Sequence, residues 1–262
     1  MLAQQMAPTA EVPFPPTVGD FFTPSILGGD DQWLTKYSIL VWVAVAAIII
    51  YFLMSYRDPK LVPTKKQWMA ESIYNFGRNT IAKDMIGHEG LRFAPYLTTL
   101  FCFILLTNFM GIIPGIQTSP NSHIAMPLVM AAISYVMFIY VGIQKNGAGT
   151  FFKNHLMPPA PWFMMPILIP IELASNFIFR PATLALRLFA NMFAGHVILL
   201  VFTLGGFVLL NSESLFLKPV SLLSWALAIG LTFLEALVAV LQAYVFTVLT
   251  ASYVSGALAE EH

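Results

Sequence analysis

Long runs without charge constrain this chain more than any other feature. Residues 37–56 and 93–144 contain no Asp, Glu, Lys or Arg. A helix rises about 1.5 Å per residue, so about 20 such residues span the ~30 Å hydrocarbon core of a bilayer. Composition agrees: of 262 residues, 58% are hydrophobic and 10% charged, against about 25% charged in soluble domains. This excludes a soluble globular enzyme and a disordered chain. The 13 Lys+Arg balance 13 Asp+Glu, which excludes a basic nucleic-acid binder. The single cysteine, Cys102, excludes an intrachain disulfide framework and a cysteine-rich metal site. The expected class is an all-α polytopic membrane protein folded as one bundle.

Residues 1–35 are Pro-rich and acidic and lack the basic n-region of a signal peptide. They are expected to form a tail outside the membrane. Residues 37–56 make the first crossing. Residues 57–92 then hold seven basic residues (Arg57, Lys60, Lys65, Lys66, Arg78, Lys83 and Arg92). The positive-inside rule places them in the cytoplasm and the N-terminus outside. Within them, Thr64 and Gln67 fit a capping box after Pro63. Met69, Ile73, Phe76 and Thr80 recur at helical spacing. This predicts an amphipathic helix on the membrane surface; periodicity does not distinguish it from a soluble helical loop.

The Pro/Gly/Ser/Asn cluster at 114–123 divides the second charge-free run into crossings near 93–113 and 125–143. Lys145 and Lys153 follow inside. Residues 162–210 read as apolar helix broken by Pro166, Pro170 and Pro181. A turn at 211–219 leads into a second apolar stretch, 220–258. A straight helix of ~40 residues would be ~60 Å long, so both must tilt strongly. The expected fold has five crossings plus one surface helix. Its single transmembrane domain covers 36–262, with a C-terminal hairpin over 162–258 and a cytoplasmic C-terminus.

Charge inside this hairpin is the functional signal. A central Arg or Glu costs about 3 kcal/mol on insertion scales, so it is paired or lines a wet cavity. Arg187 lies deep in apolar sequence, and arginine stays protonated. It cannot relay protons by titrating, but it can pair with or discharge a mobile carboxylate. A structural ion pair with Glu172 or Glu235 is the competing reading. At about 100° per residue, Asn191, Thr183, Arg180, Asn176 and Glu172 fall within about 60° of Arg187, whereas His196 falls opposite. Glu235 and Gln242 share one face of the second helix. If the hairpin turns near Ser214–Leu215, residues whose numbers add to about 430 lie at equal depth. This pairs Arg187 with Gln242, and His196 with Glu235 one level farther out. Histidine titrates near neutrality, so the outer pair is either a proton acceptor and donor or a satisfied core hydrogen bond. Glu172 lies on the inner side of Arg187. An outer proton site, a fixed cation and an inner acid suit a stator that exchanges protons with a moving partner.

Arg180-Pro181-Ala-Thr-Leu-Ala-Leu-Arg187-Leu-Phe-Ala-Asn191-Met-Phe-Ala-Gly195-His196 resembles a signature of the ATP synthase subunit a family. Leu241-Gln242-Ala243-Tyr244-Val245-Phe246 with Leu249-Thr250 resembles a second, and Thr107-Asn108-Phe-Met-Gly111-Ile-Ile-Pro114 a third. The resemblance covers most of the chain from the first crossing onward. It implies that Arg187 is the essential arginine facing the carboxylates of a rotating c-ring, with Asn191 and Gln242 as polar neighbours; Asn176 joins them by its place on the Arg187 stripe. His196 and Glu235 would line the outer half-channel; many bacterial members carry this pair in the reverse order. Glu172 resembles the inner acid, one residue farther from Pro181 than is common in the family. Implied partners are the c-ring, peripheral-stalk b subunits, protons, lipid and, indirectly, a soluble catalytic head; the basic inner loop favours a bacterial plasma membrane over an organellar inner membrane. No cofactor or metal is implied. The chain has no Walker-type phosphate loop, so it is expected to be non-catalytic.

Three other functions compete. A secondary transporter or ion channel would also use intramembrane charges, but it usually shows internal repeats, and none is visible. A structural assembly subunit would not need the Arg187 stripe. An intramembrane protease would need a paired Asp motif or HExxH.

Overall fold

A computed structural model describes residues 35–113, 116–151, 164–212 and 216–258. Among these residues the structure is helical, without strands. The helices are α1 (Lys36–Ser55), α2 (Lys65–Asn75), α3 (Ala94–Met110), α4 (Ala125–Asn146), α5 (Met165–Leu210) and α6 (Leu217–Leu258). A π-helical stretch, Phe76–Lys83, continues α2, and a 3-10 stretch, His88–Phe93, leads into α3. Five helices are long and apolar enough to cross a membrane: α1, α3 with its lead-in, α4, α5 and α6. The five expected crossings and the all-α class are therefore present. Residues 1–34 of the expected 1–35 tail, the turn centre at Ser214–Leu215, and Pro114, Lys153 and Glu260–His262 lie outside the described residues.

Small residues let the helices approach closely. The main core joins Leu100 and Ile104 of α3, Met130 and Ala131 of α4, Leu184, Ala185, Leu188 and Met192 of α5, and Ala239, Ala243 and Phe246 of α6. In lipid, helices associate by close packing and interhelical hydrogen bonds, because the tails are as apolar as the side chains. Polar ties supplement this core. Ser134 of α4 meets Tyr96 of α3 at 3.1 Å and Thr250 of α6 at 3.4 Å. At the end of the bundle carrying the basic loops, Lys145 bonds Glu89 at 3.0 Å and Asn146 bonds the Ala257 carbonyl at 3.1 Å.

The helix after the first crossing forms, but with a different buried face. Gln67, Ala70, Gly77, Ile81 and Ala82 are buried, whereas Met69 and Thr80 are exposed. One cause is steric: a Cβ at Gly77 would collide with Thr98, so nothing larger than glycine fits against α3 at that position. Half of the capping box is present. Thr64 accepts from the Gln67 backbone N–H at 3.4 Å. The Gln67 side chain instead bonds Lys60 backbone atoms, at 3.2 and 3.1 Å, and Glu71 at 2.8 Å. Those partners tie the α1–α2 loop to α2.

Pro166, Pro170 and Pro181 do not break α5. Pro166 sits in its first turn, where no intrahelical N–H is missed. Between Pro170 and Pro181 the chain widens into a π-helical stretch, Ala174–Phe179, in which the Arg180 N–H reaches Ser175 O. A proline displaces the carbonyl four residues before it, and a wider turn relieves that clash.

Candidate functional site

The α5–α6 hairpin carries every charged residue expected at membrane depth. Its register is fixed by side chains on α6 that bond α5 carbonyls. Ser221 Oγ donates to Gly206 O at 2.8 Å, Ser224 Oγ to Phe202 O at 2.7 Å, and Trp225 Nε1 to Thr203 O at 3.4 Å. Gly206 is required there, because a Cβ would strike the Trp225 indole. These ties continue inward in the expected antiparallel register to His196 and Glu235.

His196 Nδ1 and Glu235 Oε1 lie 3.2 Å apart. Both residues are buried, at 9% and 5% exposure. The contact has ion-pair distance but not hydrogen-bond angles, so His196 Nε2 and both Glu235 oxygens remain buried without a hydrogen-bond partner. Two glycines make the room. A Cβ on Gly195 would lie 2.9 Å from Glu235 Oε1, and one on Gly111 of α3 would run into the imidazole. Buried polar atoms left unmatched by protein are where internal water or a mobile proton is held.

Arg187 lies on the other side of α5, as its 180° offset from His196 requires, and is exposed. Among the described residues its side chain makes no hydrogen bond or ion pair. The structural pair with Glu172 or Glu235 is thus absent. Glu235 meets His196, and Glu172 Oε2 accepts from Asn176 Nδ2 at 3.0 Å. Thr183, one turn before Arg187, is also exposed; Asn191, one turn after it, is half-buried. Gln242 is buried on the same face of α6 as Glu235, and neither it nor Asn191 makes a side-chain hydrogen bond among the described residues. The expected Arg187–Gln242 level is therefore not a bonded pair. Arg180 places its Cζ 5.8 Å from the Tyr253 ring centre.

The π-helical stretch corrects the angular reading of the inner residues. Regular α-spacing puts Glu172 about 60° to one side of Arg187. If the wide turn absorbs one residue, the offset becomes about 40° to the other side. Glu172 keeps the same general face, but the regular-helix angle does not apply.

Sequence reasoning missed a buried polar layer beside His196. Thr107, Asn108, Ser119 and Asn121 are at most 1% exposed. Asn121 Nδ2 donates to Thr107 Oγ1 at 2.8 Å and to Asn108 Oδ1 at 2.7 Å. Asn108 Nδ2 donates to Ala239 O of α6 at 3.2 Å, and Ser119 Oγ to Thr107 O at 3.0 Å. The 114–123 cluster signals only a turn. Nothing in its composition tells a surface turn from one folded into the bundle. Among the described residues no three His, Cys, Asp or Glu side chains gather to hold a metal ion.

Fold and site together define a polytopic helical membrane protein in which, among the described residues, an unpaired arginine and a buried acid–imidazole pair lie on opposite sides of α5. Comparison with known proteins gives the family. The family model described as ATP synthase A chain matches residues 37–255. The chain is 47% identical over 234 residues to ATP synthase subunit a of Parafrankia sp. (strain EAN1pec), covering 88% of this chain and 78% of that one. It is 45% identical over 252 residues to that of Pseudarthrobacter chlorophenolicus, covering 95% and 94%. With that of Nocardioides sp. (strain ATCC BAA-499 / JS614) identity is 41% over 261 residues, covering 95% and 94%. The chain belongs to the ATP synthase subunit a family. It is a membrane-embedded subunit of an F-type ATP synthase, assembled with other subunits of that complex and serving proton transport and ATP synthesis. Its bacterial relatives fit a plasma-membrane location.

Proposed function

We propose that this chain is the stator that carries protons to and from carboxylates on a ring of small hydrophobic subunits, through two half-paths separated by Arg187. One observation supports the reading: Arg187 stands exposed on a membrane-depth helix with no acidic partner among the described residues. A central cation costs about 3 kcal/mol in lipid, so its counter-charge must come from another subunit. A carboxylate passing on a ring supplies it.

Protons arrive from outside at His196 and Glu235, on the face opposite Arg187, and neutralise a ring carboxylate. The neutral site then crosses lipid without the cost of a buried charge. After nearly a full turn it meets the inner path at Glu172 and Asn176 and loses its proton near Arg187. The guanidinium holds the newly charged site at the interface. Along the axis, the nine residues from Arg187 to His196 put about 13 Å between the two levels. The fixed positive charge between them opposes direct proton leakage. Asn191 and Gln242 are polar neighbours on either side of this barrier. The basic loops 57–92 and 145–153 orient the chain with its N-terminus outside and its C-terminus in the cytoplasm. Residues 36–262 act as one transmembrane domain, and b subunits of a peripheral stalk hold it against the turning ring.

The partner is tested by cross-linking. In the whole complex, Thr183→Cys lies one turn from Arg187 on the same exposed face. The expected result is an oxidative cross-link to a cysteine placed beside the ring carboxylate. A Thr183→Cys that links only to other subunits, across all ring positions tried, overturns the reading.

A further inference from the structure

The buried layer beside His196 has a residue whose chemistry the proposed path does not use. Asn121 sits in the short 3-10 turn Pro120–Ser122 between α3 and α4, and it is fully buried. Its amide NH2 is spent on Thr107 Oγ1 and Asn108 Oδ1. Its Oδ1 is buried with no hydrogen-bond partner. The same holds for His196 Nε2, the ring nitrogen facing away from Glu235. The two belong to one locus. A Cβ on Gly111 would strike the Cε1–Nε2 edge of His196 and lie 3.2 Å from Ser119 Cβ, so Ser119 and that edge flank the same glycine. Ser119 Oγ in turn accepts from the Asn121 backbone N–H at 3.2 Å. A fixed carbonyl acceptor and an imidazole nitrogen at one buried locus are the two ends that a bridging water requires.

We infer that Asn121 is a positioning residue of the outer proton path: its NH2 holds Thr107 and Asn108, and its Oδ1 fixes a buried water that delivers protons to His196 Nε2. The inference rests on the path proposed above. In the delivery step a protonated water gives its proton to the Nε2 lone pair, and the Nδ1 proton moves to Glu235 Oε1. The water and the imidazole are left neutral, the ring now carrying its proton on Nε2. The starting tautomer returns when the imidazole gives its Nε2 proton to water and takes one from water at Nδ1. Asn108 extends the effect, because its own NH2 bonds Ala239 O, one turn from Glu235 on α6. Asn121 thereby ties the water site to the helix that carries the acid.

The groups that titrate around His196 are few. Glu235 faces it from α6. His123, two residues beyond Asn121, stacks edge-on at 4.1 Å from Tyr37 of α1. Helix α3 brings no charged side chain, and the only one on α4, Lys145, is at its far end on Glu89.

The test uses the whole complex in sealed vesicles, with ATP synthesis driven by an imposed proton gradient while the outer-side pH is varied. Asn121→Leu removes the acceptor at nearly constant size. It is expected to leave the complex assembled, to slow synthesis about tenfold, and to move the outer-pH midpoint by about one unit. Thr107→Val removes one bond that holds Asn121 but keeps Oδ1, so its midpoint should stay at the wild-type value. If Asn121→Leu does not assemble, Asn121→Ser is measured against the same criteria. An unmoved midpoint at position 121, or an equal shift in Thr107→Val, overturns the inference. Glu235→Gln separates this from the wider reading. Lost transport there with an unmoved midpoint at 121 removes only the role of Asn121; full transport in Glu235→Gln removes the outer path itself.

Discussion

At the scale of single residues, the site depends on what is missing as much as on what is present. Gly195 and Gly111 leave the volume into which Glu235 and His196 fit. Gly195→Ala places a methyl 2.9 Å from Glu235 Oε1, so the carboxyl must move by a few tenths of an ångström. Gly111→Ala drives a methyl into the imidazole and should do more harm. Proton pumping assayed in vesicles should fall severalfold in the first variant and by about tenfold or more in the second, with normal amounts of complex. Equal, unimpaired pumping in both would mean that the pair's geometry does not matter. The pairing of His196 with Glu235 was legible from residue numbers, because an antiparallel hairpin converts sequence distance into depth. The glycines' purpose was not, since it depends on which side chain from another helix comes near. Asn121 was hidden for the same reason, inside a cluster that signals only a turn.

At the scale of elements, the hairpin is held by hydrogen bonds that its composition does not advertise. Ser221, Ser224 and Trp225 each bond a carbonyl of α5. Such bonds contribute about 0.6 kcal/mol each in membranes, rarely above about 1.7. Replacing both serines by alanine should therefore destabilise the isolated subunit in detergent by about 1–2 kcal/mol, read as a lower denaturation midpoint. No change would place the hairpin's stability in packing alone. The crossings were legible as charge-free runs, which report length and polarity directly. The winding of α5 was not. Prolines at 170 and 181 suggested breaks, whereas the chain keeps a continuous helix by widening Ala174–Phe179. A wide turn is where one extra residue can be absorbed without turning Glu172 to another face. The face of α2 was misread because burial there follows small size at Ala70 and Gly77, not hydrophobicity.

At the scale of the whole molecule, low charge selects a membrane bundle, and the few charges left at membrane depth give it a purpose. The basic loops account for nine of the thirteen Lys and Arg residues, and under the proposed topology they orient the chain. Among the described residues of the hairpin, Arg187 is exposed and unpaired, while Glu235 and Glu172 are engaged by His196 and Asn176. A secondary transporter closes its charges around a site of its own. Here the cation faces outward, and in the proposed function a second protein completes it. ATP-driven proton pumping by complexes carrying Arg187→Ala tests this most directly. The account predicts complexes that assemble in normal amounts yet show no coupled pumping and no ATP synthesis. Pumping at the wild-type rate by that variant would contradict it.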